Sequence, residues 1–265
     1  CGSWAEALEA LSSWTKRHEP DVFCFQQLPH EFFHQVAAFL SMQMKAVRRS
    51  WSPDHDDGCA VMWNPMSFRL DAAQAFSLSS SPSQIGTRLI SQLEPRAGQV
   101  VALNQADFVI RAASCHWEPS FSDQCLGVLA AAARGRSGEI LAALLGPGFD
   151  LDEELATFSL KTRGMPSLIA GGFEEASGIG IGRSVLEDAG FRPLIGLEHL
   201  HDDIYASPAI KVLSILDTGG LDGDSPMLVE VEMRDRQDYG ARVTRDPQPS
   251  DVERHLWPLD GDYSE

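Results

Sequence analysis

The apolar residues near the N-terminus recur every three or four positions, which is the spacing of one face of a helix. They are Trp4, Ala7, Leu8, Leu11 and Trp14. Ser3 and Glu6 have the spacing of a capping box, in which each side chain satisfies a backbone N–H at the helix start. This pattern predicts an amphipathic helix over 4–16. Further helices are predicted over 31–41, 122–145, 152–162 and 183–189.

Short apolar runs bounded by breakers or polar residues predict the strands. Buried strands are predicted at 22–25, 108–115, 167–170 and 203–206, and further strands at 59–63, 210–216 and 227–233. Many strands interleaved with few helices favour an α+β layered fold over a strictly alternating parallel one. The segment 235–250 is rich in charge, Pro and Gln, and is predicted to be an exposed loop. We see no internal repeat or clean domain boundary, so one domain over 1–265 is expected.

The composition of the 265-residue chain, 43% hydrophobic and 22% charged, is that of an ordinary globular protein. No apolar run approaches the roughly 18 residues of a membrane span, and the N-terminus lacks the pattern of a signal peptide. The five cysteines have no CxxC spacing, which disfavours a disulfide framework or a zinc site. The expectation is a soluble, intracellular protein, cytoplasmic and without a membrane partner.

The formal net charge of −17 bears on the class of ligand, because proteins that grip long polyanions normally present clustered Lys and Arg. Here 38 acidic residues outnumber 21 basic ones. Short basic patches occur at Lys45, Arg48 and Arg49, and at Arg242 and Arg245, and are interpreted as solvated surface. Strong, sequence-independent binding of nucleic acid is therefore not expected.

Polar residues that could support phosphodiester chemistry stand at the ends of the predicted strands. Hydrolysis of a phosphodiester with a metal requires carboxylates for a hard cation, a positioned water and a group that stabilises the developing negative charge. A histidine oriented by a carboxylate can serve the last two tasks. The candidates are Gln27, His116, the segment 172–175, Asp202 with Asp203, and Asp251 with His255.

The order of these segments resembles the motif series of a known superfamily. The segments are 20–28 (PDVFCFQQL), 57–62 (DGCAVM), 114–119 (SCHWEP), 166–174 (PSLIAGGFE), 202–207 (DDIYAS) and 250–259 (SDVERHLWPL). Together they resemble the endonuclease/exonuclease/phosphatase superfamily, and the second and third resemble its nocturnin and angel-like deadenylases. The resemblance implies a four-layered α/β sandwich, with two mixed sheets face to face, helices outside, and an active cleft at one rim.

The resemblance also implies a chemistry and a set of roles. The superfamily's deadenylases are Mg²⁺-dependent 3′-exoribonucleases, so Mg²⁺ is the expected cofactor and Gln27 stands at the position of a metal-binding Glu. The matching catalytic positions are His116, Asp202, Asp251 and His255. Trp117, beside the first histidine, is a candidate for stacking a base, and Glu174 stands where the family has an Asn that contacts the phosphate.

The chain departs from the family pattern at positions where the family has its metal-binding and catalytic residues. Gln27 keeps an oxygen ligand but lacks the charge of a carboxylate, and Gly172 replaces the Asp that positions the nucleophile. The carboxylate of Glu174 would repel a phosphate unless a metal intervened. The chain starts at the first predicted helix, so the family's opening strand and its Asn have no counterpart in it.

The C-terminal motif allows two alignments. Ser250 and Asp251 can match the family's Ser-Asp, with three inserted residues before His255, or Glu253, Arg254 and His255 can match Ser-Asp-His. We prefer the first, because it keeps Pro249, Ser250 and Asp251 in place.

Three functions remain open at this stage. The first is a deadenylase-like phosphodiesterase acting on RNA, with weak or lost catalysis. The second is a phosphatase or phosphodiesterase for a phosphorylated small molecule, which the charge of −17 suits better than a long RNA. The third is a non-catalytic scaffold that binds a protein partner.

Overall fold

The computed structural model describes residues 4–49, 56–88, 94–106, 108–117, 127–146, 153–173, 181–194, 202–217 and 227–233. Its helices are α1 (Trp4–His18), α2 (Phe33–Phe39, preceded by a 3₁₀ turn at His30–Phe32), α3 (Gly127–Leu145), α4 (Glu153–Lys161) and α5 (Ile181–Asp188). Its strands are β1 (Val22–Pro29), β2 (Gln43–Arg48), β3 (Asp57–Trp63), β4 (Arg69–Ser77), β5 (Ala97–Gln105), β6 (Phe108–Trp117), β7 (Ser167–Phe173), β8 (Arg192–Pro193), β9 (Asp202–Ala206), β10 (Ile210–Asp217) and β11 (Met227–Met233).

The strands form one large sheet and two smaller ones. The large sheet has the order β4-β5-β6-β7-β9-β8, and only its β6–β7 pair is parallel. The antiparallel order β1-β3-β2 forms a second sheet, and β10 pairs with β11 in a third. Mixed pairing of this kind places strand ends from distant parts of the chain along one rim.

Apolar side chains divide these elements into layers. Between the sheets lies a core built from Val61 and Trp63 on one side and Val101, Leu103 and Ile110 on the other. The outer face of the large sheet packs against α3, α4 and α5, and the outer face of the β1-β3-β2 sheet packs against α1 and α2. The order is helices, sheet, sheet, helices, so the predicted α+β four-layered sandwich is confirmed.

A buried arginine fixes the end of α3 to the large sheet. Arg111, on β6, is 2% exposed and donates to backbone carbonyls of Leu144 and Leu145 at the C-terminus of the helix. Its Nε donates to Ser167 Oγ at 2.7 Å, and its other contacts reach Thr162 Oγ1 and the Met165 carbonyl, each at 3.3 Å. Cations are favourable at helix C-termini because the last carbonyls lack partners within the helix.

The predicted helices and strands are found, mostly with longer bounds. The helix predicted over 122–145 begins at Gly127 within the described residues, and the loop predicted at 235–250 lies outside them. Sequence patterns missed β2, β4, β5 and the short β8. Within the described ranges, no helix combines the length and apolar character that a membrane crossing requires.

Candidate active site

Strand ends bring the sequence-predicted residues of the large sheet to one rim. In the parallel β6–β7 pair His116 lies opposite Gly172, and in the β7–β9 pair Gly172 lies opposite Asp202. Three positions that are far apart in the chain therefore form one row across adjacent strands. Only the backbone is described at Asp202 and at Trp117, the last residue of β6.

Gln27 reaches the same rim through a β-bulge in the facing sheet. The pairing of β1 with β3 is regular up to Phe25 and resumes at Leu28, so the two glutamines between them fall in the irregularity. Gln27 has φ +53°, a left-handed conformation that is uncommon for a residue with a side chain. Bulges are frequent beside active sites, where they re-aim a side chain. Here the side-chain amide of Gln27 lies 2.9 Å from Nε2 of His116.

The neighbouring Gln26 ties the two sheets together below this contact. Its Nε2 donates to Ser114 Oγ at 2.9 Å, and Ser114 Oγ donates to the Phe25 carbonyl at 2.7 Å. A weaker contact of 3.4 Å joins Gln26 Nε2 to the Ala170 carbonyl on β7. The bulge thus places one glutamine between the sheets as a polar link and the next at the rim. This link holds β1 in register with His116.

His116 is neutral at physiological pH. Burial, with a smaller effect of the positive charges of Arg96 and Arg49, lowers its pKa to about 4, and Glu94 acts in the opposite direction. A neutral imidazole has one acceptor nitrogen. Because the Gln27 amide donates to Nε2, the ring proton is assigned to Nδ1. This tautomer could accept a proton at Nε2 only after the Gln27 contact had opened.

Two arginines next to His116 belong to an ionic cluster, which we call the Arg49–Arg96 cluster and which also contains Asp57 and Glu94. Arg49 follows β2 and pairs with Asp57 Oδ1 at 2.6 Å and with Glu94. Arg96 pairs with Glu94 Oε2 at 3.6 Å. Arg96 immediately precedes β5, in which Gly98 pairs with Cys115, the neighbour of His116.

The interpretation of Arg49 as solvated surface was therefore wrong. Its side chain is only 15% exposed, because carboxylates from β3 and from the segment before β5 surround it. Arg48 is more exposed, at 25%, and pairs with Asp56 at 2.8 Å. Sequence patterns gave no signal for the cluster, since Arg49 and Glu94 lie 45 positions apart.

The described side chains do not by themselves assemble a site for Mg²⁺. Among them, no group of three or more His, Cys, Asp or Glu side chains is placed to hold a metal ion. Gln27 directs its amide nitrogen at His116, and its amide oxygen is a neutral ligand without the negative charge of a carboxylate. The guanidinium groups of Arg96 and Arg49 act on His116 as positive charges, and Glu94 acts in the opposite direction. The remaining predicted residues, Glu174, Asp251 and His255, lie outside the described residues.

Comparison with known proteins gives a result in structure and none in sequence. No protein-family model and no curated protein matches the chain. The structure of an endonuclease/exonuclease/phosphatase from Bacteroides vulgatus matches with a TM-score of 0.69 over 88% of this chain and 92% of that chain, at 14% identity. The chain has the endonuclease/exonuclease/phosphatase fold.

Two further solved structures also match this chain. The human Nocturnin catalytic domain matches with a TM-score of 0.64 and 17% identity, over 88% of each chain. A mannosyl-6-phosphatase from Bacteroides thetaiotaomicron matches with a TM-score of 0.62 and 14% identity, over 87% of this chain and 92% of that one. The predicted resemblance is thus confirmed for the fold.

Proposed function

We propose that this chain is a deadenylase-like phosphoester-binding protein whose Mg²⁺-dependent hydrolysis is weak or lost. The observation that carries the proposal is the contact of 2.9 Å between the Gln27 amide and His116 Nε2. Gln27 occupies the position at which the family resemblance implies a carboxylate that binds Mg²⁺. An amide that donates to a histidine keeps a neutral oxygen, but it lacks the negative charge that makes a carboxylate a strong ligand for a hard cation.

The neighbouring position on β7 supports the same proposal. Gly172 lies opposite both His116 and Asp202, in the place where the resemblance implies an Asp that aligns the nucleophile. A glycine has no group that can orient or deprotonate a water. Catalytic groups that act as a unit fail together, so the loss at Gly172 and the change at Gln27 would leave little activity.

What the rim retains is suited to binding. His116 and the guanidinium groups of Arg49 and Arg96 are the rim groups that suit the oxygens of a phosphoester, because arginine matches such oxygens with paired N–H donors. In this structure both guanidinium groups are paired with carboxylates. We assign RNA with 3′ adenosines as the ancestral ligand class, from the resemblance of 57–62 and 114–119 to the deadenylases.

A phosphorylated small molecule is the second candidate ligand, and the charge favours it. A net charge of −17 repels a long polyanion, whereas a small phosphomonoester meets only the local potential of the rim. The mannosyl-6-phosphatase with the same fold acts on a ligand of this size, as its name states.

The test is hydrolysis by the purified chain of two substrate classes. One arm measures AMP released from a short oligoadenylate, and the other measures inorganic phosphate released from a set of sugar and nucleoside monophosphates. Each is run with Mg²⁺ and with EDTA. The proposal expects very slow or undetectable turnover in both arms. Robust turnover that EDTA abolishes would show a working metal enzyme and contradict it.

A further inference from the structure

One carboxylate in the Arg49–Arg96 cluster lies between both guanidinium groups. Oε2 of Glu94 is the oxygen that contacts Arg49 NH1 and also lies 3.6 Å from Arg96 NH2. Asp57, the other acid, contacts Arg49 at 2.6 Å from the β3 side. The Glu94 oxygen is therefore held between two cations from different elements, as one oxygen of a bound oxyanion would be.

The exposures of the three side chains show which member is outermost. Arg96 is 5% exposed, Arg49 is 15% exposed, and Glu94 is 38% exposed. The two arginines are therefore the more buried members, and the Glu94 carboxylate is the most exposed of the three side chains. A ligand that arrives from solvent would meet Glu94 first, and could reach both guanidinium groups if this side chain rotated away.

The cluster lies beside the contact between Gln27 and His116. Arg96 precedes the strand that pairs with β6, and Arg49 donates its backbone N–H to the Asp57 carbonyl at 2.9 Å, at the start of β3. Both charges act on His116. A phosphoryl group seated on the two arginines would therefore lie at the same rim as His116.

We propose that Arg49 and Arg96 form a phosphate subsite that needs no metal, and that the Glu94 carboxylate occupies it as an internal competitor. The inference rests on the proposed function, because it assigns a phosphoester to this rim. It goes further by naming the groups that hold the phosphate and the group that must leave. Glu94 contacts both cations, so a phosphate dianion can bridge the two guanidinium groups only after Glu94 is displaced.

Glu94→Gln tests this directly, since it removes the competing charge at a partly exposed position and keeps the side-chain volume. Inorganic phosphate is titrated into wild-type chain and variant by calorimetry, with EDTA present and with chloride at matched ionic strength as the blank. The Glu94 carboxylate both competes for the guanidinium groups and repels an incoming phosphate anion. We therefore expect phosphate to bind the variant at least about tenfold more tightly than wild type.

The matched control is Glu139→Gln, which makes the same charge change on α3, where Glu139 is 56% exposed and pairs with Arg136. It should leave phosphate affinity as in wild type. Equal gains in both variants would show a general effect of net charge and overturn the subsite.

A double variant, Glu94→Gln with Arg49→Gln, should lose the gain. Thermal unfolding of each variant establishes that it is folded before it is titrated. Phosphate affinity that is unchanged in Glu94→Gln, that persists in the folded double variant, or that appears only after Mg²⁺ is added would each overturn the inference. None of these titrations requires turnover, so the hydrolysis assays can fail or succeed independently of them.

Discussion

Replacing Arg111 with Met should destabilise the fold by removing the cation that holds the end of α3. Methionine keeps a long unbranched side chain in the space, so the main loss is that of the guanidinium donors. Arg111 is 2% exposed, and burial lowers its pKa to about 9. Water cannot readily replace the lost hydrogen bonds in such a place.

The contacts of Arg111 set the expected size of the effect. The carbonyls of Leu144 and Leu145 lose a donor, and a buried polar group left unsatisfied costs about 1–3 kcal/mol. The hydroxyls of Thr162 and Ser167 keep their own bonds to the Phe158 carbonyl at 2.9 Å and the Met165 carbonyl at 3.0 Å, and so add little. Relief from burying a charge offsets part of the loss. We expect a net decrease of about 2–4 kcal/mol in the free energy of unfolding.

Urea unfolding followed by far-ultraviolet circular dichroism measures this change. The control is Arg69→Met, at an exposed position of β4 in the same sheet, which should change the free energy by less than about 0.5 kcal/mol. If Arg111→Met cost less than about 1 kcal/mol, the guanidinium would not be what secures the helix end, and the reasoning would be refuted.

Three other outcomes follow from the site and its surroundings. Gln27→Glu alone should tighten Mg²⁺ binding without releasing AMP from oligoadenylate. Gln27→Glu combined with Gly172→Asp should be the smallest change able to give EDTA-sensitive release of AMP. Turnover by the single variant would contradict this prediction. Burial raises the pKa of Cys59 to about 12 and that of Cys115 well above its usual value, so peptide mapping should find both unalkylated by iodoacetamide until urea unfolds the chain. Because the fold lowers the pKa of His116 to about 4, its contribution to stability is complete above pH 6.5 and is lost as the pH falls from there towards 4. In His116→Gln, the free energy of unfolding should therefore fall less steeply than in the wild-type chain as the pH is lowered from 6.5 towards 4.

The sequence predicted the fold where strands are short, apolar and buried. The missed strand β5 shows why other segments failed, since its pattern is interrupted by Gly98 and Gln99 although it lies in the core. The glycine is required there, because a Cβ would stand 2.4 Å from the ring of Phe76 on the paired strand. The need for a glycine at position 98 comes from Phe76, more than twenty residues away, so it produces no local pattern in the sequence.

The candidate site was predictable only in part, for the same reason. Gln27 and His116 could be found because each follows a short apolar run that predicts a strand, 22–25 and 108–115. The β-bulge that turns Gln27 towards His116 depends on the register of β1 against β3, which no local pattern encodes. Likewise, Arg49 and Glu94 meet only because the two sheets face each other.

The most direct test of the account is whether a divalent ion binds beside His116. Mn²⁺ broadens the magnetic resonance signals of nearby groups, so it is titrated into chain labelled in its histidine rings, with the His116 signal assigned by its absence in His116→Gln. The account predicts that His116 in the wild-type chain broadens no more than exposed His34, and that it broadens selectively in Gln27→Glu. Selective broadening of His116 in the wild-type chain, at the Mn²⁺ concentration that acts on the variant, would show that the metal site is intact and contradict the account.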